Sequence, residues 1–121
     1  MIRWVHPPSG EVVYCDPAKV AANWRHNPKW FPPGGGHPGK IAYFRKHFAA
    51  NRECDVPEGI FTPVDRFRAQ PWVHVAANAP VHILAFEEGR NRTRWCLDNG
   101  EPAVPIRFLG SDIALAKALL V

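Results

Sequence analysis

The segment that most constrains the fold of this chain is a short apolar strand that runs through a glycine into an arginine-rich helix. Residues 81–86 are typical of a strand, and two glutamates and Gly89 follow them directly. The helix predicted over residues 90–97 carries arginine at positions 90, 92 and 94, and Asn99-Gly100 is expected to end it. The first N–H groups of a helix lack partners within it, and the helix dipole makes that end positive. The turn therefore predicts an anion site, most often one for phosphate.

The side chains around this turn supply the candidate site residues. Guanidinium groups donate paired hydrogen bonds to phosphate oxygens, and glycine lets a backbone approach a ligand closely. Glu87 and Glu88 are the candidate catalytic residues, because a carboxylate can orient water or hold Mg²⁺ and stays ionised beside three arginines. The alternative is a solvated ion-pair surface that binds nothing. The phosphate-binding candidates at the turn are Gly89, Arg90, Asn91, Arg92, Thr93 and Arg94.

A glycine-rich loop at residues 34–40 formally matches the GxxxxGK pattern of a P-loop. The context of a P-loop is missing, because no buried strand precedes the loop and residue 41 is isoleucine rather than serine or threonine. A looser hypothesis is that Gly35, Gly36 and Lys40 close over a nucleotide held at Gly89. The alternative is a plain loop whose glycines only permit tight turns. His37, in the same loop, is the best histidine candidate for chemistry.

Composition and local patterns predict one small α+β domain over residues 1–121, with a small mixed sheet and helices. The 46% of hydrophobic residues suffices for a core, while 13 prolines favour loops over long helices. Pro105 limits the last strand to a sheet edge or a strand start. Asp16 and Ser111 are predicted N-caps. The predicted elements are a hairpin of residues 2–5 and 11–14, strands at 72–75, 81–86 and 103–108, and helices at 17–26, 41–50, 90–97 and after 111; residues 51–70 are left unassigned.

Charge, cysteine content and hydropathy set the expectations for partner and compartment. The net charge of +4 fits a polyanionic partner such as nucleotide or DNA. Three widely spaced cysteines form no CxxC pair, so neither a disulfide framework nor a protein-held metal site is predicted. No apolar run reaches the length of a membrane span, and no signal peptide begins the chain. We therefore expect a cytoplasmic protein with no membrane insertion.

The order of strand, acid, Gly-Arg-Asn-Arg-x-Arg, helix and Ala-Val-Pro-Ile resembles the signature of the ParB/sulfiredoxin superfamily. The matching segments are residues 88–92 and 100–106, within a stretch of residues 81–108. The Gly-Arg-x-Arg form and the upstream Trp…Pro-Pro-Gly-Gly-Gly segment at residues 30–36 look most like plasmid fertility-inhibition factors. Those are small proteins on this fold that block conjugative transfer.

The resemblance implies a ligand, a setting and roles for particular residues. Arg92 and Arg94 match arginines that contact phosphate in the family, and Gly89 begins the phosphate cradle. ATP or CTP is the implied nucleotide, with Mg²⁺ bridging its phosphates, and both NTPase and DNase activity stay open. Arg90 stands where sulfiredoxins carry their catalytic cysteine, which excludes that chemistry, and Asn91 replaces a usual histidine or arginine and cannot titrate. The implied setting is a plasmid or mobile-element inhibitor of conjugation.

A non-enzymatic interaction protein is the alternative function. Such a protein would dock on a secretion or coupling component of the conjugation machinery, or on DNA. The surface proposed for it is basic and aromatic and lies around Trp24, Trp30 and Phe31. Phe86, Trp95 and Leu97 are expected to be core residues rather than base-stacking platforms.

Overall fold

A computed structural model describes residues 2–49 and 53–121, and over these residues it shows an α+β fold of five helices and two small sheets. None of the helices described there is long and apolar enough to cross a membrane. The strands are β1 Arg3–Val5, β2 Glu11–Cys15, β3 Glu53–Asp55, β4 Glu58–Pro63, β5 His82–Glu88 and β6 Val104–Phe108. The helices are α1 Pro17–Trp24, α2 Pro38–Ala49, α3 Val64–Arg68, α4 Arg90–Asp98 and α5 Asp112–Leu119.

The main sheet has four strands in the order β2-β6-β4-β5. Its β2–β6 and β4–β5 pairs are antiparallel, whereas β4 and β6 are parallel, so the predicted small mixed sheet is confirmed. The internal strand β4 comes from the unassigned stretch 51–70, of which residues 51 and 52 lie outside the described part. Strand β6 is internal, so of the two positions expected from Pro105, a sheet edge or a strand start, the structure shows the second. Pro105 is its second residue, and β4 begins opposite Arg107, so the missing N–H of the proline falls before that pairing.

The predicted N-terminal hairpin is wrong. Strand β1 pairs in parallel with β3 in a separate two-stranded sheet, and β2 pairs with β6. Burial explains the choice, because Val13 and Cys15 of β2 enter the main core while Trp4 of β1 packs on Phe48. The strand predicted at residues 72–75 is also absent, and Trp72 is 80% exposed in a loop.

Local signals place the helix ends well. Asp16 caps α1 by accepting from the Ala18 amide at 2.8 Å, with Pro17 as the first helical residue. Helix α2 begins three residues before the predicted start, and Ala50, its predicted end, lies outside the described residues. Gly100, with φ of +68°, follows the end of α4 as expected. Ser111 precedes α5, although its side chain makes no capping bond.

In the described part of the chain, the core consists of two hydrophobic clusters. The main one covers one face of the four-stranded sheet, because alternate residues of each strand point to the same side. The second joins β3 to α2 through Phe44, Phe48 and Cys54, with Trp95 packed against it. All three cysteines are free and buried, so no disulfide forms. The main cluster contains Val13, Cys15, Val20, Trp24, Phe61, Leu84, Cys96, Val104, Ile106, Phe108, Ala116 and Leu120.

Two buried asparagines attach the end of α1 and the loop after it to the outer edge of β5. The Asn23 side chain donates to the His82 carbonyl at 3.0 Å and accepts from the Leu84 amide at 2.7 Å. Asn27 donates to the Leu84 carbonyl at 3.1 Å. These side-chain amides form hydrogen bonds with β5 that a neighbouring strand would otherwise form. Part of the β5 edge is therefore not free to pair with another chain.

Candidate functional site

The predicted anion-binding turn opens into a cleft of about 1130 Å³. Helix α2 and strand β3 form one side, and the β5–α4 turn forms the other. Ile60, Thr62 and Ala85 contribute the outer face of the main sheet, opposite the core. The predicted site residues that line this cleft are Lys40, Glu87, Glu88, Gly89, Arg90, Asn91 and Arg92.

The glycine of the turn is required by packing. Gly89 has φ of +89°, in the left-handed region that side chains disfavour. A Cβ built on Gly89 would lie 2.7 Å from both Cα and Cβ of Pro57. The sequence predicted that the Gly89 backbone approaches a ligand closely. In the structure, Gly89 instead approaches Pro57, in the loop between β3 and β4. A register shift beside the turn, where Glu58 faces Glu88 but Gly59 faces Phe86, leaves Glu87 as an extra residue. Such bulges re-aim the side chains around them.

The N-terminus of α4 presents free amide donors to the cleft. Gly89 is the N-cap residue, and no side chain in the described part of the chain caps it. The first helical bond runs from the Thr93 amide to the Gly89 carbonyl at 2.9 Å, so the amides of residues 90–92 have no partner within the helix. The predicted phosphate role of Thr93 needs correction, because its hydroxyl also donates to the Gly89 carbonyl, at 3.0 Å, and the residue is buried.

Two of the three arginines reach the cleft. Arg90 is exposed at the first position of α4 and lines the opening. Arg92 is half-buried and donates one N–H to the Asp55 carbonyl at 2.7 Å, which holds its guanidinium against β3. Burial raises the pKa of the neighbouring Cys54 thiol, although Arg92 acts in the opposite direction.

Arg94 lies elsewhere, which corrects its predicted phosphate role. Positions 92 and 94 are about 200° apart around the helix axis, so their side chains point to different sides. Arg94 is 5% exposed, and its Nε donates to Asp98 Oδ1 at 3.0 Å. Its guanidinium also donates to the Phe31 carbonyl and lies 4.6 Å from the centre of the Trp30 ring. These contacts attach the loop that carries Trp30 and Phe31 to α4. Arg94 therefore lies outside the cleft.

The glycine-rich loop is a tight turn against α4. Gly35 donates its amide to the Pro32 carbonyl at 2.8 Å, and Gly34 donates to Asp98 at 3.1 Å. Gly36 approaches the Phe31 ring and the Asn91 side chain. Neither Gly35 nor Gly36 lines the cleft, and Gly35 instead borders a separate cavity of about 240 Å³, so their predicted contact with nucleotide needs correction.

Within that segment, Lys40 reaches the cleft and His37 has a structural position. His37 directly precedes α2, and its Nδ1 atom accepts from the amide of Gly39, in the first turn of the helix, at 3.1 Å. This bond explains why α2 begins at Pro38, earlier than the hydrophobic spacing predicts. The chemistry considered for His37 from the sequence is replaced by a capping role.

Both signs of charge line the cleft. The lysines and arginines are Lys29, Lys40, Arg90 and Arg92, and the acidic residues are Glu53, Asp55, Glu87 and Glu88. Glu53 is paired with Arg3, and Glu87 and Glu88 are exposed. Across residues 2–49 and 53–121, no group of three or more His, Cys, Asp or Glu side chains is placed to hold a metal ion. The arrangement suits an anion whose charge is met by amides, guanidinium groups and ammonium groups.

Tyr43 and His47 are among the cleft residues that the sequence interpretation did not single out. Both lie on the side of α2 that also carries Lys40, since helical residues three, four and seven apart share a face. The spacing of these residues was visible in the sequence, but the direction that this face takes depends on the packing of Phe44 and Phe48.

Comparison with known proteins leaves the site to be interpreted from its own geometry. No family model, no curated protein and no solved structure matches the chain.

Proposed function

We propose that the chain is a ParB/sulfiredoxin-like nucleotide-binding protein that holds ATP or CTP by its phosphates in the cleft. One observation carries this proposal: Lys40, Arg90, Arg92 and the uncapped N-terminus of α4 converge on the same cleft. The volume of about 1130 Å³ accommodates a ligand of nucleotide size. The Gly-Arg-x-Arg resemblance, which is carried by the same turn, points to the same class of ligand.

The geometry suggests how the phosphates would be held. The amides of residues 90–92 and the dipole of α4 would bind the phosphate group nearest the turn. Arg90 would add a charged donor at the rim. Arg92 spends one N–H on the Asp55 carbonyl and keeps other donors for the ligand, because a guanidinium group carries five. Lys40 would contact the phosphates from the α2 side.

Magnesium and catalysis involve Glu87 and Glu88 in this proposal. Mg²⁺ is commonly held by one or two carboxylates together with substrate phosphates and water. The two exposed glutamates at the bulge can provide the carboxylates. Either glutamate could also orient a water molecule for NTP hydrolysis or DNA cleavage. Asn91 contributes hydrogen bonds only, since an amide does not titrate.

Inhibition of conjugative transfer, acting on DNA or a conjugation-machinery protein, is supported by the resemblance alone. The structure gives the Trp30–Gly36 part of that resemblance a packing role, because Trp30 and Phe31 lie edge-on to Trp24. Trp24 is 1% exposed, so it does not belong to the docking surface considered in the alternative function. Nucleotide binding is therefore the better-supported of the two functions.

Isothermal titration calorimetry with ATP and CTP, with and without Mg²⁺, tests the proposal. We expect binding that Arg90→Ala weakens roughly 10- to 100-fold, since a hydrogen bond to a charged group contributes about 1.5–3 kcal/mol. Arg66→Ala is the matched control, because Arg66 is exposed on α3 and does not line the cleft. Absence of binding, or equal losses in the two variants, would overturn the assignment.

Phosphate release and plasmid nicking test the catalytic part separately. The double variant Glu87→Gln/Glu88→Gln should retain nucleotide binding in the absence of Mg²⁺ and lose turnover. Turnover that survives in this variant would remove the two glutamates from the proposed mechanism.

A further inference from the structure

One side of α2 presents an aromatic ring to the same cleft. Lys40, Tyr43 and His47 line the opening. Phe44 also borders it, although Phe44 and Phe48 are buried in the second hydrophobic cluster. The Tyr43 side chain remains 55% exposed despite its place in the cleft wall. A large aromatic surface therefore faces the space opposite the arginine-bearing turn.

The Tyr43 ring is supported by a histidine that is itself anchored. The two rings are stacked, with centroids 5.3 Å apart and planes inclined by 28°. His47 Nε2 lies 2.6 Å from the Glu53 carbonyl oxygen. A carbonyl only accepts, so Nε2 carries the hydrogen and donates it to β3. This bond fixes the histidine ring that stacks on Tyr43. The Phe44 ring also packs edge-on against Tyr43, with centroids 5.4 Å apart, and Tyr43 stays more than half exposed in the cleft wall.

Neighbouring tyrosine and histidine rings do not always stack in this way, as the pair formed by Tyr14 and His6 shows. There the tyrosine hydroxyl and His6 Nε2 are 2.8 Å apart, and the ring planes are tilted by 57°. Neither residue lines the cleft. Tyr43, by contrast, meets its histidine through the ring face, which gives a flat supported surface of the kind that stacks on nucleobases.

We infer that Tyr43 is the stacking surface for the base of the bound nucleotide, with the phosphates at the α4 turn. This inference rests on the proposed function and specifies its ligand class as a nucleotide rather than an inorganic polyphosphate. Stacking tolerates any base because every base presents a π-face. ATP and CTP should therefore both gain affinity from the ring, and discrimination between them comes from other contacts.

Calorimetry with ATP, CTP and inorganic triphosphate on four variants tests the inference. Tyr43→Ala should weaken ATP and CTP about 5- to 150-fold, the range found for loss of one base-stacking side chain. Tyr43→Phe retains the ring and should stay within about twofold of the wild type. Tyr43→Leu keeps apolar bulk without a π-face and should behave like the alanine variant. Tyr14→Ala, an exposed tyrosine outside the cleft, should have no effect, and triphosphate affinity should be equal in all variants.

Two results would overturn the inference, and they are distinguishable. If Tyr43→Ala and Tyr43→Leu bind ATP and CTP as tightly as the wild type while Arg90→Ala does not, the base lies elsewhere and the phosphate site stands. If the wild type binds neither nucleotide, the proposed function and the base-stacking role fail together. Melting temperatures of the Tyr43 variants verify that they are folded, as expected for an exposed position.

Discussion

Replacing Arg94 with alanine should destabilise the protein and leave its affinity for nucleotide nearly unchanged. The resemblance to the ParB/sulfiredoxin signature assigns Arg94 to phosphate, whereas its contacts assign it to packing. Arg94→Ala and Arg90→Ala therefore form a matched pair, because both arginines lie on α4 and only Arg90 lines the cleft.

The expected loss follows from three interactions. The Arg94 side chain is 6% exposed and pairs with Asp98, whose side chain is 24% exposed. Removing one partner of a buried ion pair costs about 3–5 kcal/mol, and the partial exposure of Asp98 favours the lower end. The Phe31 carbonyl also loses a donor, and Trp30 loses a cation over its ring. We expect about 3–4 kcal/mol, or about 12–16 °C in melting temperature for a domain of this size.

Thermal and urea unfolding measure the stability of both variants, and calorimetry with ATP measures binding well below the melting temperature. The affinity of Arg94→Ala for ATP should be within about threefold of the wild-type value. The free energy of unfolding of Arg90→Ala, at an exposed site, should be within about 0.5 kcal/mol of the wild-type value. Arg94→Lys keeps the charge but loses the planar fork and should fall between wild type and alanine in stability. An Arg94→Ala protein of normal stability that has lost nucleotide would refute the packing role.

Three further changes test other parts of the structure. Gly89→Ala should lower the free energy of unfolding by about 2–4 kcal/mol, from the positive φ and the clash with Pro57, and an unchanged urea midpoint would contradict this. Asn23→Leu should cost about 2–4 kcal/mol by leaving the Leu84 amide unpaired at the sheet edge, and should increase light scattering at high protein concentration. Burial raises the pKa of Cys96 from 9.0 to about 12, so the stability that its protonated thiol contributes is complete below pH 9 and is lost between pH 9 and 12. Between pH 9 and 10 the free energy of unfolding measured with urea should fall by about 1 kcal/mol less in Cys96→Ala than in the wild type, and equal falls would rule out a buried neutral thiol.

Features set by neighbouring residues could be predicted from the sequence. The start of α1 depends on Asp16 and Pro17, and the end of α4 on Gly100, all within one helical turn of the boundary. The strand–glycine–helix turn at Gly89 is local in the same sense. Its position and free amides follow from about ten consecutive residues, whereas the packing of Gly89 on Pro57 does not.

Features set by distant partners could not be predicted. Strand β1 has a turn signal after it that favours a hairpin, yet it pairs with β3, about 50 residues away, because both strands contribute to the second hydrophobic cluster. The hydrogen bonding of Asn23 to the sheet edge likewise depends on β5, about 60 residues further along the chain. Arg94 is intermediate, since helical periodicity separates it from Arg92 but only the docked loop shows what it contacts.

Some residues of the motif at the turn are explained by packing within the fold, and others are not. Only the residues that packing does not explain support a ligand. Gly89 is fully accounted for by Pro57, and Arg94 by Asp98, Phe31 and Trp30, so neither their types nor their spacing is a reason to expect a phosphate. Packing does not explain an exposed Arg90 beside uncapped amides, or a supported tyrosine ring that faces the same cleft. Because placing cations and an aromatic surface together in a cleft yields little folding energy, the combination supports the proposal of an anionic ligand that carries an aromatic base.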